Sequence, residues 1–163
     1  MTPTQEEDFE WFRTCDLLVV ESDGSCLYHA IKAAQTTGEN RNGHELRLLL
    51  ANYVRALTDD EWGRVMSQIP MDATEHRQAV LSRIQTDQWA EIEELLLLSN
   101  YLQRKIVVVD LRSETYLGVK PVIDHAFVTH ENQESSSYEP TALILSYTGS
   151  HYNALIPPAT WPP

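Results

Sequence analysis

Apolar positions recur at helical spacing through the first two thirds of the chain and gather into β-branched runs thereafter. Thr4 is placed to cap a short acidic helix carrying Phe9, Trp11 and Phe12. The apolar stretch 17–20 reads as an extended segment running into the turn dipeptide Asp23-Gly24. Leu27, Ala30, Ile31 and Ala34 then take up a 3.6-residue period, which predicts a helix beginning just after that turn. Leu46, Leu49, Leu50, Tyr53, Val54 and Leu57 form a longer stripe of the same period. Trp62, Val65, Met66 and Ile69 repeat it behind Asp59, Asp60 and Glu61. Asp72 with Glu75 has the form of a capping box, opening a helix that ends near Asp87. Residues 92–102 are apolar around most of the circumference, so that helix is expected inside the core.

Ile106, Val107, Val108 and Val109 make a continuous β-branched run, the pattern of a strand covered on both faces. Val122 and Ile123, with Ala126, Phe127 and Val128, predict a further strand. Segments 141–145 and 151–156 flank Thr148-Gly149-Ser150 and read as a hairpin. The polar, Ser-rich stretch 130–140 reads as a mobile loop. Four of the eight prolines lie in 157–163, where no strand can continue, so we expect one domain over 1–156 and a Pro-rich tail over 157–163. No internal repeat is apparent. A chain of 163 residues fits a single domain that buries about 70% of its extended surface.

Charge narrows the partners. The formal net charge is −12, which repels phosphate backbones and argues against nucleic acid, while attracting basic surfaces and tails. Two cysteines, Cys15 and Cys26, are too few for a disulfide scaffold. The N-terminus lacks the basic and apolar regions of a signal peptide, and no aliphatic run approaches the ~20 residues needed to span a bilayer. These features predict a soluble monomer of a reducing compartment, the cytoplasm, with no membrane partner.

Asp23-Gly24-Ser25-Cys26 brings an extended segment into a helix and sets Cys26 in the first helical turn. Unpaired N–H groups and the positive end of the helix dipole there favour a thiolate, so a lowered thiol pKa is expected. The same groups can hold the oxyanion of a tetrahedral intermediate. Gly24 permits the tight turn and the approach of a substrate carbonyl. Taken alone, the pattern fits a small buried thiol equally well. Far downstream, His151 and Asn153 stand two apart on an expected strand, hence on one face, where an amide oxygen can orient an imidazole. Cysteine, then histidine, then asparagine is the order of papain-type proteases. Cys26 and His29 make half of a zinc pattern, but Cys15, His44, His76, His125 and His130 supply no matching half, so no metal is expected.

Residues 23–31, Asp-Gly-Ser-Cys-Leu-Tyr-His-Ala-Ile, resemble the nucleophile motif of OTU (ovarian tumour) cysteine proteases. Gln88-Trp89-Ala90 followed by Glu94, the apolar helix and the run 106–109 is similar to the central block of that family. The stretch 150–155, Ser-His-Tyr-Asn-Ala-Leu, is similar to its His motif. Ala90 departs from the glycine that often follows the tryptophan. The resemblance implies an α/β papain-like OTU fold, with a small mixed or antiparallel sheet packed between helices. It implies a deubiquitinase cleaving isopeptide bonds after the C-terminal Gly-Gly of ubiquitin, polyubiquitin or a ubiquitin-like modifier, without a cofactor, in the cytoplasm of its own or a host cell. In that reading Cys26 is the nucleophile, His151 the general base and Asn153 the third member of the triad. Asp23, Gly24 and Ser25 shape the oxyanion loop, completed by the N–H of Cys26. Trp89 is a candidate wall for the Gly-Gly channel, with a packed core tryptophan as the equal alternative. Glu131, Glu134 and Glu139, or Asp59, Asp60 and Glu61, are candidate contacts for ubiquitin's basic face. Two other readings stand beside it: another Cys-His acyl-transfer enzyme on a papain-like scaffold, and a non-catalytic ubiquitin-binding module.

Overall fold

The computed structural model describes residues 5–69, 77–86, 88–124 and 142–158. Helices α1 (Gln5–Thr14), α2 (Cys26–Gln35), α3 (His44–Ala56), α4 (Asp59–Met66), α5 (Arg77–Gln85) and α6 (Ile92–Leu102) surround a sheet. Its strands are β1 (Asp16–Leu18), β2 (Ile106–Asp110), β3 (Thr115–Val119), β4 (Leu143–Tyr147) and β5 (Tyr152–Ile156), in the order β1-β5-β4-β2-β3. β2 and β4 run parallel, and the other neighbours are antiparallel. The architecture is therefore mixed α/β, as the sequence predicts.

The β-branched run explains how the sheet is covered twice. Ile106 belongs to the large core shared by α2, α3 and α6, with Val108 packed against it. Val107 and Val109 point the other way, into a second cluster with Ile144, Leu155, and Phe9 and Phe12 of α1. Both faces are covered, so this strand needs no polar alternation. Leu97 and Leu98 of α6 are fully buried, as expected for a helix apolar on most sides.

Three expectations shift. On α3 the buried face is Leu46, Arg47, Leu50, Ala51 and Val54, whereas Leu49 is exposed. The stripe is displaced toward a buried arginine. Val122 and Ile123 form no strand, because both N–H groups donate to Oδ1 of the fully buried Asn100, at 2.9 and 3.1 Å. The strand beside β2 is β3 instead, an exposed edge whose solvent-facing Tyr116 and Leu117 carry no clean alternation. The Asp72–Glu75 capping box, the strand residues 126–128 and the loop 130–140 lie outside the described residues.

Candidate active site

Cys26 opens α2, the helix that lies across β4 and β5. The Asp23 side chain builds the preceding turn: Oδ1 accepts the Ser25 N–H at 2.9 Å, while the Asp23 carbonyl accepts the Cys26 N–H at 3.1 Å. That last bond matters, because the N–H expected to complete an oxyanion hole is engaged within the turn in this conformation. Asp23 also takes Nε2 of the buried His29, with distances of 3.1 and 3.2 Å to its two oxygens. Burial alone would raise the Asp23 pKa, but the His29 and Ser25 hydrogen bonds prevail and hold the carboxyl below its usual range.

The backbone N–H of Tyr152, the residue between His151 and Asn153, lies near enough to the Cys26 sulfur to favour its thiolate, and α2 packs directly on β5. Two distant stretches of chain therefore meet at the N-terminus of α2. Cys26 itself is only 1% exposed. Burial pushes its thiol pKa up, the Asp23 charge adds to that, and the Tyr152 N–H offsets part of it. The expectation of a lowered thiol pKa is corrected. Desolvation outweighs the helix terminus, so the resting group is a thiol that needs a base.

His151 immediately precedes β5 and Asn153 lies within it. His151 Nε2 stands 2.8 Å from Asn153 Oδ1, which also accepts the Val20 N–H at 3.0 Å. A backbone N–H can only donate, so the Asn153 atom facing both groups is oxygen. Nε2 must then carry the proton, leaving Nδ1 with a free lone pair. Nδ1 is buried and has no hydrogen-bond partner among the described residues. A buried acceptor without a donor is costly, and a thiol S–H is the kind of donor it could use.

The remaining sequence candidates fall in different places. Gly24 and Ser25 lie in the turn, with Ser25 buried. Trp89 is 48% exposed and so is no core residue. Its neighbours Ala90, Glu91 and Ile92, with Val108, Tyr147 and Tyr152, line a cavity of about 690 Å³. Asp59 and Glu61 have other tasks: Asp59 pairs with Arg77 at 3.2 Å, and Glu61 completes a capping box with Thr58. Glu131, Glu134 and Glu139 lie outside the described residues.

One cluster could be mistaken for a metal site. Ligand atoms of Asp23, His29 and His44 fall within 4.8 Å of one another. His29 Nδ1, however, accepts the Gly43 N–H at 2.8 Å, so its proton sits on Nε2, pointing at Asp23. A cation at Nε2 would need that proton moved to Nδ1, where it would collide with the Gly43 donor.

Sequence reasoning overlooked Arg47. It stands in register with Leu50, Ala51 and Val54 on the inward face of α3, which was the available signal. Its Nη1 donates to the Gly24 carbonyl at 2.8 Å and to Ser25 Oγ at 2.9 Å. Nε and Nη2 bind the carbonyls of Ile84, Arg83, Thr86 and Gln88, and the guanidinium lies 4.9 Å from the Tyr28 ring centroid.

The fold has counterparts among known proteins. Among curated proteins no sequence matches significantly. Solved structures do. The OTU domain of OTUD1 aligns with a TM-score of 0.60 at 18% identity, covering 93% of this chain and 92% of that one. The Hazara virus OTU bound to ubiquitin aligns at 0.54 and 22% identity, covering 89% and 82%. An OTU deubiquitinase from Wolbachia pipientis wMel bound to ubiquitin aligns at 0.54 and 13%, covering 89% and 97%. Residues 21–152, running from the turn before Cys26 to the first residue of β5, match the family described as OTU-like cysteine protease, and the chain belongs to that family.

Proposed function

We propose that the protein is a deubiquitinase, a thiol hydrolase that cleaves the bond after the C-terminal glycine of ubiquitin or a ubiquitin-like modifier. The observation that carries this reading is the unpartnered Nδ1 of His151, its tautomer set by Asn153, at the start of the strand that packs against the helix opened by Cys26. A purely binding module needs no such base. Similar domains captured with ubiquitin support the substrate class. The formal charge of −12 favours a basic tail, and a nucleophile that is 1% exposed favours a slender one without side chains.

The steps follow from the proton inventory. Cys26 passes its S–H proton to His151 Nδ1 as the sulfur attacks the scissile carbonyl. The tetrahedral oxyanion requires donors, so the Asp23 carbonyl has to turn away and release the Cys26 N–H. Collapse breaks the C–N bond, and the leaving lysine amine takes the proton from Nδ1. Water then attacks the thioester and gives one proton to Nδ1; the C–S bond breaks, Nδ1 returns that proton to the sulfur, and the new carboxylic acid of ubiquitin loses its remaining proton to solvent.

The direct test uses ubiquitin bearing a C-terminal electrophile. One covalent adduct is expected, mapped by mass spectrometry to Cys26 and absent from Cys15, whose thiol burial pushes up to about 11. Folded protein that stays unmodified would overturn the reading. Modification by an acyl-coenzyme A thioester instead would point to an acyl transferase. A finer test concerns orientation. Asn153→Ala frees the imidazole ring and leaves the Val20 N–H without its acceptor. We expect kcat to fall about 10–100-fold with KM nearly unchanged. An unaltered kcat removes Asn153 from the machinery.

A further inference from the structure

Arg47 is a cation that is 5% exposed and pairs with no carboxylate among the described residues. Its charge is met instead by the carbonyl end of α5, where helix dipoles and unsatisfied C=O groups concentrate negative potential. Nε at 2.6 Å from Ile84 and Nη2 at 2.7 Å from Arg83 fix the guanidinium plane. Nη1 is thereby presented to the nucleophile turn. There it holds the carbonyl of the Gly24–Ser25 peptide, whose N–H is held by Asp23 Oδ1.

That peptide is gripped at both ends, and both grips return to α3. Asp23 is braced by His29, and His29 by the N–H of Gly43, the N-cap of α3. Arg47 lies one turn further along, its own N–H bonded to the Gly43 carbonyl at 3.0 Å. The adjacent Asp23–Gly24 peptide is held differently: among the described residues its carbonyl accepts only the Cys26 N–H, within the turn itself. One peptide of the loop is clamped and its neighbour can rotate about Gly24.

We propose that Arg47 is the positioning residue of the nucleophile loop: it clamps the Gly24–Ser25 peptide so that only the Asp23–Gly24 peptide turns to release the Cys26 N–H. The clamp keeps the Gly24 carbonyl dipole away from the sulfur and the N-terminus of α2 aimed at it. This rests on the thiol-hydrolase reading, but its central readout does not. Lysine preserves the charge at position 47 and loses the fork that reaches the turn and α5 together.

The test compares Arg47→Lys and Ser25→Ala with the wild type. One assay is turnover of ubiquitin carrying an amide-linked C-terminal fluorophore. The other is Cys26 alkylation by iodoacetamide across pH, which needs no ubiquitin. For Arg47→Lys we expect kcat to fall about tenfold or more, KM to stay within about twofold, and the alkylation midpoint to move up. Ser25→Ala removes one acceptor of the clamp and leaves the other bonds of Arg47, so smaller shifts in the same directions are expected. If the lysine variant fails to fold, the alanine variant decides. An alkylation midpoint equal to wild type, however far kcat has dropped, overturns the proposal and leaves Arg47 a structural residue. A wild type inert toward the ubiquitin substrate defeats the functional reading alone, while alkylation still judges the clamp.

Discussion

Cys26→Ala is expected to abolish turnover of a ubiquitin–fluorophore amide, and His151→Ala to lower kcat/KM about 10³-fold or more at neutral pH. The two losses have different shapes. Without Cys26 no thioester forms, and pH cannot restore it. Without His151 the sulfur remains, with a pKa raised by burial and by the Asp23 charge, so almost all of it is protonated near neutrality. Each unit of rising pH then increases the thiolate fraction about tenfold until the thiol's own midpoint, above its ordinary value, is reached. The His151→Ala profile should therefore climb with unit slope from neutral pH upward, while the wild type stays nearly level. Titration of kcat/KM for both proteins decides the matter. A His151→Ala variant within tenfold of wild type at neutral pH, or one with a level profile, would show that His151 is not the base.

That prediction depends on a sign that local sequence could not supply. A cysteine in the first turn of a helix invites the inference of a stabilised thiolate, because the turn is all that local sequence displays. What raises the pKa is burial of the thiol where α2 packs across β4 and β5, contacts between residues far apart in the chain. The pairing of His151 with Asn153 was legible, since i and i+2 share a face of extended chain and the imidazole–amide bond forms between them. The helices α2 and α6 and the strand β2 were legible for the same local reason. β3 was not, because an edge strand with one covered residue has little apolar pattern to show. Val122 and Ile123 misled because strand propensity cannot register that Asn100, from another element, takes their N–H groups. Arg47 was hidden by the habit of assigning charge to solvent. Its partners are main-chain carbonyls, to which composition is blind.

The largest structural effect is expected from a single methyl group. A Cβ on Gly43 would collide with the Tyr28 carbonyl carbon and oxygen and lie 2.5 Å from the His29 nitrogen. These are backbone atoms of α2, which cannot swing aside as a side chain does. Gly43 has φ of −101°, so alanine suits its conformation and only the contact forbids it. Gly43→Ala must therefore push α3 away from α2, opening a core that includes Leu27, Ile31 and Leu50. We expect a cost of about 3 kcal/mol or more, read as a fall of about 10 °C in Tm. The matched control is Gly63 in α4, where a Cβ meets nothing within 4 Å. Gly63→Ala should stabilise by about 0.5–1 kcal/mol through helix propensity. The same chemical change thus carries opposite signs at two sites. The Gly43 variant should also lose turnover at temperatures where it remains folded, because the N–H that braces His29, and through it Asp23 and the nucleophile turn, moves with α3. Equal melting temperatures for the two variants would mean that α2 and α3 do not meet as closely as Gly43 requires. Undiminished turnover in a destabilised Gly43→Ala variant would detach the brace from the chemistry.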